Sequence, residues 1–274
     1  MLRARIDGTL GSFLVSVRAE MAALAADGLL PIDEVIRLVD AGGKRLRPVF
    51  CYWGYRAAGG LDGEPIERAS AALELLHTMA LIHDDLMDRS PERRGAPSSA
   101  IQLAEHAGRR GSADPERDGA SLALLAGDLA AVLADRLLLE SGFPPDRLVG
   151  ALGRYHRMRL DMALGQSMDV TGGDVERATA AALKGGSYTT DGPLQIGAAL
   201  AGADGSVMAT LAAYGAPLGL AFQLLDDERD GDVTLEPGRV DALIARSRAG
   251  LEAPGLDPDA VRALSALADL VAAG

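Results

Sequence analysis

Leu10, Leu14, Val17, Met21 and Leu24 recur at three- and four-residue steps with polar positions between them, which predicts an N-terminal helix burying one stripe. Gly28–Pro31 breaks that pattern, and a short second helix follows over Ile32–Val39, stopped by Gly42–Gly43. The same periodicity predicts helices over Pro48–Ala58, Ile66–Leu86, Ala120–Glu140, Arg147–Gly165, Val175–Leu183, Leu194–Leu200 and Val207–Leu225. Gly, Pro and Asp mark the connections at Gly59–Pro65, Arg93–Ser99, Gly108–Gly119, Gly142–Pro145 and Gly172–Asp174. No alternating pattern is long enough for a strand, and no low-complexity linker splits the chain. The expectation is an all-α protein folded as a single domain over residues 1–274.

Composition narrows the function classes. The chain is 48% hydrophobic but only 4% aromatic, which suits closely packed Ala- and Leu-rich helices. A net charge of −12 argues against nucleic acid as a partner, so an anionic substrate would need its own local basic pocket. The lone Cys51 excludes a disulfide framework and points to an intracellular, cytoplasmic chain. Arg18 and Glu20 interrupt the N-terminal apolar stretch, and no run reaches about 18 uninterrupted apolar residues, so neither a signal peptide nor a transmembrane segment is expected.

The candidate chemistry lies in two acidic runs, HDDLMD at His83–Asp88 and FQLLDDERD at Phe222–Asp230. Each contains DDxxD: Asp84, Asp85 and Asp88, then Asp226, Asp227 and Asp230. On a helix Asp84 shares a face with Asp88, and Asp226 with Asp230, where unneutralised carboxylates repel. One such cluster is ordinarily a solvated acidic face. Two with identical spacing, each following an apolar stretch, point instead to a hard divalent cation, Mg²⁺ above all, taking carboxylate and phosphate oxygens. Basic groups alternate with the acidic ones. The only two lysines, Lys44 and Lys184, fall in GGKRLRP and KGGSYTT, and Arg93–Arg94–Gly95 lies just past the first acidic run. Arginine forks and lysine point charges are phosphate ligands, so the alternation suggests two anion sites, one metal-bridged and one purely basic.

In order from Gly42 to Asp230 the chain carries GGKRLRP, ELLHTMALIHDDLMD, RRG, AGDL, GQSMD, KGGSYTTDGPLQIGAALAG and FQLLDDERD. This series resembles the trans-isoprenyl diphosphate synthases, or polyprenyl synthetases. The resemblance implies antiparallel helices around a central cavity, usually in a homodimer, and condensation of isopentenyl diphosphate with an allylic diphosphate. It implies Mg²⁺ held by Asp84, Asp85, Asp88, Asp226, Asp227 and Asp230. Isopentenyl diphosphate would be bound by Lys44, Arg47, His77 and Arg94, and the allylic diphosphate by Arg93, Lys184 and Gln223. Gln166 and Asp169 would be neighbours of the site, His83 a supporting group, and Met79 and Ala80 the floor that sets product length, favouring geranylgeranyl diphosphate. An HD-type metal phosphohydrolase built on His77, His83 and Asp84 leaves GGKRLRP and the second DDxxD unexplained. A non-catalytic modulatory subunit would be expected to lose the first acidic run, which is present.

Two departures accompany the resemblance. Lysine-bearing segments usual after the second acidic run have no counterpart in GDVTLEPGRVDALIARSRAGL, and Gly185 stands where a hydroxyl residue is usual. The expectation is a shortened C-terminal region, less positive charge toward the allylic diphosphate, and slow turnover.

Overall fold

The computed structural model describes residues 2–171, 182–231, 234–252 and 254–272. Among these are eleven α-helices: α1 (Leu2–Leu24), α2 (Leu30–Asp40), α3 (Leu46–Ala57), α4 (Glu64–Asp88), α5 (Ser99–Arg109), α6 (Pro115–Leu139), α7 (Pro145–Thr171), α8 (Gly192–Ala201), α9 (Gly205–Asp230), α10 (Arg239–Gly250) and α11 (Pro258–Ala272). A π-helix, Ala182–Asp191, leads directly into α8, and two-residue strands β1 (Glu92–Arg93) and β2 (Ala96–Pro97) form a small hairpin after α4. The all-α expectation holds apart from that hairpin. The expected helix at Val175–Leu183 and the loop at Gly172–Asp174 fall largely or wholly outside the described residues.

The chain divides into two compact units, Met1–Arg45 with Glu67–Ser141 and Leu46–Ile66 with Gly142–Gly274. In the first, α1 buries Ile6, Leu10, Phe13, Leu14 and Val17, but the stripe stops there: Leu24 is 85% exposed. Arg18 of α1 pairs with Asp33 of α2, and Glu20 accepts a hydrogen bond from Arg136 of α6 at 2.8 Å. Helix α5 escaped the periodicity reading because it is short and buries mainly Ser99, Leu103 and Ala107. Helix α6 begins five residues before the expected Ala120. Asp114 caps it by accepting from the Arg117 N–H, with Pro115 in the first turn, both start signals. Gly119 is therefore no loop glycine. It lies where α6 meets the α5 backbone at Ala100 and Ala104, leaving no room for a Cβ. Asp118, expected in a loop, is in the first turn of α6 and accepts a hydrogen bond from the Ser112 hydroxyl at 2.6 Å.

The second unit packs α3, α8, α9, α10 and α11 around Phe50, Leu194, Leu211, Tyr214, Leu218, Ile244 and Leu264. Tyr214 is the linchpin: its hydroxyl donates to the Leu264 carbonyl at 2.7 Å, and its own carbonyl accepts from Ser247 at 2.8 Å. Burial pushes its phenol far above the usual range. The C-terminal helices α10 and α11 thus complete this unit's core. The stretch Gly205–Arg229 of α9 is long and apolar enough to cross a membrane by length and composition, yet Leu211, Tyr214, Leu218 and Ala221 on it belong to this core.

Asp191, closing the π-helix, is a half-buried carboxylate in the same unit. Burial raises its pKa, against the opposing effects of the Gln195 amide hydrogen bond (3.3 Å) and the charge of Arg154. A raised pKa means the folded form holds the proton more tightly, so its stability contribution is full below the ordinary pKa of 3.8 and is lost as pH rises through the folded value. Thermal melting should show wild-type stability falling relative to Asp191→Asn as pH rises above that point. A gap that is flat or of opposite slope would refute this.

Candidate active site

The first acidic motif ends α4. Half-buried or exposed positions His77, Ala80, Leu81, Asp84 and Asp88 form one stripe at helical spacing, while Met79, Ile82 and Asp85 turn inward. Asp84 and Asp88 therefore share the accessible face, as the spacing predicted, and Asp85 does not. The helix stops with Arg89 in the left-handed region (φ 52°) while the Ser90 N–H bonds to the Asp85 carbonyl at 2.9 Å, a Schellman-type end without the usual glycine. The chain then reverses through the hairpin. Its register pairs Glu92 with Pro97 and Arg93 with Ala96, leaving Arg94–Gly95 as a two-residue turn with φ of 56° and 74°. Two successive positive φ values are what a tight hairpin turn demands, and Gly95 adopts one without steric cost.

This reversal brings Arg93 back onto the carboxylates. Its Nε donates to Asp85 Oδ1 at 2.9 Å, its Nη2 donates to the same oxygen, and Asp84 Oδ2 lies 3.7 Å from that nitrogen. The hydrogen bond to Asp85 is the main cause raising Arg93's pKa, opposed by burial and reinforced by the charges of Asp85, Asp84 and Asp88. Arg94 turns the other way, donating to the Leu38 carbonyl at 3.1 Å and to the Gly42 carbonyl, which ties the hairpin to the GGKR turn. Lys44 in that turn is exposed. Arg45 is not a ligand candidate at all: it is 4% exposed and bonds Glu74 Oε1 at 2.7 Å, Asp7 Oδ1 at 2.8 Å and the Val39 carbonyl at 2.6 Å.

His83 packs against α6 at Gly127, with Nε2 3.4 Å from the Leu124 carbonyl. Any Cβ at position 127 would overlap the imidazole, which explains the glycine of AGDL. Gly127→Ala should displace His83 and the adjoining aspartates, costing roughly 1–3 kcal/mol of stability by overpacking; denaturant melts check this, and a loss below about 0.5 kcal/mol would refute it. With His83 committed to α6, the HD-type metal scheme has no support in the first unit.

In the second unit, Arg47 lies over the Tyr188 ring, 4.3 Å from its centroid, and donates to Thr189 Oγ1 at 3.0 Å. Gln223 on α9 donates to Asp227 Oδ1 at 2.6 Å, and Asp226 Oδ1 accepts from Arg229 at 3.0 Å. The side chains of Lys184 and Asp230 lie outside the described residues. Gln166 and Asp169 are on the last turns of α7, half-buried and exposed respectively. The hairpin, the burial of Arg45 and the Tyr188–Thr189 contact to Arg47 were not foreseen. Only Gly95, in the expected Arg93–Ser99 connection, hinted at the first.

No three His, Cys, Asp or Glu side chains are gathered as a metal-binding group among the described residues. Mg²⁺ takes one or two carboxylates together with substrate phosphates and water. The accessible Asp84 and Asp88 are such an all-oxygen pair.

The described residues thus define an all-α protein of eleven helices, with one aspartate motif ending α4 and the other ending α9. The model of the polyprenyl synthetase family matches residues 32–234, and the chain belongs to that family. It is 32% identical over 204 residues to a geranylgeranyl diphosphate synthase of Sulfolobus acidocaldarius, covering 69% of this chain and 55% of that protein. It is 34% identical over 207 residues to a dimethylallyltranstransferase of Fischerella ambigua, covering 72% and 55%. The chain thus spans little more than half the length of these relatives. A crystal structure of geranylgeranyl pyrophosphate synthase from Corynebacterium glutamicum, complexed with isoprenyl diphosphate and magnesium, superimposes with a TM-score of 0.90 over 98% of each chain at 24% identity, which establishes the shared fold.

Proposed function

We propose that this chain is a cytoplasmic trans-prenyltransferase that joins isopentenyl diphosphate to an allylic diphosphate, with geranylgeranyl diphosphate as product. The observation that carries the reading is the accessible Asp84–Asp88 pair with Arg93 folded back beside it, on a stripe of α4 that continues to His77. Mg²⁺ bound by the aspartates of the two motifs would neutralise charge gathering on diphosphate oxygens as the allylic C–O bond breaks. Arg93, Lys184 and Gln223 bind and orient the allylic diphosphate, and Asp85 keeps Arg93 in place. Lys44, Arg47, His77 and Arg94 hold isopentenyl diphosphate so that its double bond meets the allylic carbon, where positioning contributes on the order of 7–11 kcal/mol in the best cases. The proton released on forming the new double bond goes to the departing diphosphate. The active chain is a homodimer in a single catalytic domain. Support for a second copy comes from α6, where Leu125, Val132 and Leu139 are 55%, 61% and 52% exposed at heptad spacing.

The deciding assay supplies purified chain, Mg²⁺, isopentenyl diphosphate and geranyl or farnesyl diphosphate. A longer prenyl diphosphate that EDTA abolishes is expected, and no elongation of any C5–C15 primer refutes the reading. In the same assay Met79→Phe should shorten the product; an unchanged distribution would show that the floor lies elsewhere. The missing lysines after Asp230 favour one further reading, a subunit that is active only on adding a second prenyl synthase subunit. The isolated chain's turnover separates the two.

A further inference from the structure

We infer that Tyr188 and Thr189 are positioning residues for Arg47, holding its guanidinium ready for the diphosphate of isopentenyl diphosphate; this rests on the reading of Arg47 as a ligand of that group. A half-buried arginine is normally free to sample many rotamers, and that freedom is lost when it grips an anion. Here two buried side chains restrict it in advance. Tyr188, 4% exposed, presents a ring 4.3 Å from the guanidinium carbon, which sets the tilt of the plane. Thr189, 2% exposed, accepts from Nη2 at 3.0 Å, which sets rotation within that plane. A flat fork needs both constraints to meet phosphate oxygens in a defined orientation, whereas a lysine ammonium has no plane for them to orient.

The local backbone explains how adjacent residues serve one partner. Tyr188 and Thr189 lie on the π-helix Ala182–Asp191, a rare wide-turn geometry. It is held against α9 by Thr190, whose hydroxyl bonds the Gly186 carbonyl at 3.1 Å and the Gly215 carbonyl at 2.7 Å. The platform under Arg47 is thus anchored to a core helix of the same unit.

The test is calorimetric titration of isopentenyl diphosphate into the full chain with no allylic partner, so that nothing turns over. Tyr188→Leu and Thr189→Val should each raise Kd about tenfold, while Tyr188→Phe and Thr189→Ser should restore binding near wild type. In an Arg47→Gln background, Tyr188→Leu should have no further effect, because a positioning residue has nothing left to position; a merely structural role would add. If Tyr188→Leu does not fold, the isosteric Thr189→Val, alone and with Arg47→Gln, decides. Binding that Arg47→Gln weakens but Tyr188→Leu and Thr189→Val leave unchanged overturns the inference and spares the functional reading. Arg47→Gln binding as tightly as wild type overturns the role of Arg47 and the inference with it.

Discussion

Asp84→Ala is expected to lower prenyl-transfer kcat by at least about 100-fold, roughly 3 kcal/mol of transition-state stabilisation. Asp84 and Asp88 are the accessible carboxylates of the first motif, one turn apart on α4, whereas Asp85 is occupied by Arg93. Removing Asp84 takes away half of that pair, while the Arg93 nitrogen 3.7 Å from it stays bonded to Asp85. A hard cation bound by so few protein ligands has little redundancy, so the loss should appear in kcat and in the Mg²⁺ concentration needed for half activity. Asp118→Asn is the control: it alters an exposed contact to Ser112 at the start of α6 and should leave kcat unchanged. Asp84→Ala within about threefold of wild type, with an unchanged circular dichroism spectrum, would refute the assignment.

The largest expected effect on stability comes from Arg45→Met, a loss of about 3–5 kcal/mol. Arg45 and Glu74 are each 3% exposed at the side chain, 2.7 Å apart, and Arg45 Nε and Nη2 also donate to Asp7 and the Val39 carbonyl. Removing the guanidinium strands a carboxylate in the core, where an unpaired charge is far costlier than the pair was worth. Arg45→Met with Glu74→Leu should recover much of the loss, since a well-packed apolar pair replaces the ionic one. Chemical denaturation measures both variants. A single variant no less stable than the double one would show that the pair is dispensable.

Much of this protein was legible in its amino-acid order. Helical periodicity located α1, α3, α4, α7 and α9 to within a few residues at most ends, because each repeats apolar positions over several turns. The helix α5 carries too few apolar positions to register, and the start of α6 is signalled by its cap, Asp114 with Pro115, rather than by periodicity. The shared face of Asp84 and Asp88 followed from spacing alone, since side-chain direction along a helix is a property of the backbone.

The roles within the basic clusters did not follow from spacing. In GGKRLRP three cations lie within four positions, and nothing local distinguishes Arg45, buried on Glu74, from Arg47, stacked on Tyr188, or from exposed Lys44. In the first acidic run the same holds for Asp85, which Arg93 reaches only because the Arg94–Gly95 turn reverses the chain. The amino-acid sequence determined most of the helices, the family and the identity of the charged groups. Tertiary structure decided which charges pair internally and which stay accessible, because the worth of a charge depends on its desolvation and on partners that are distant along the chain.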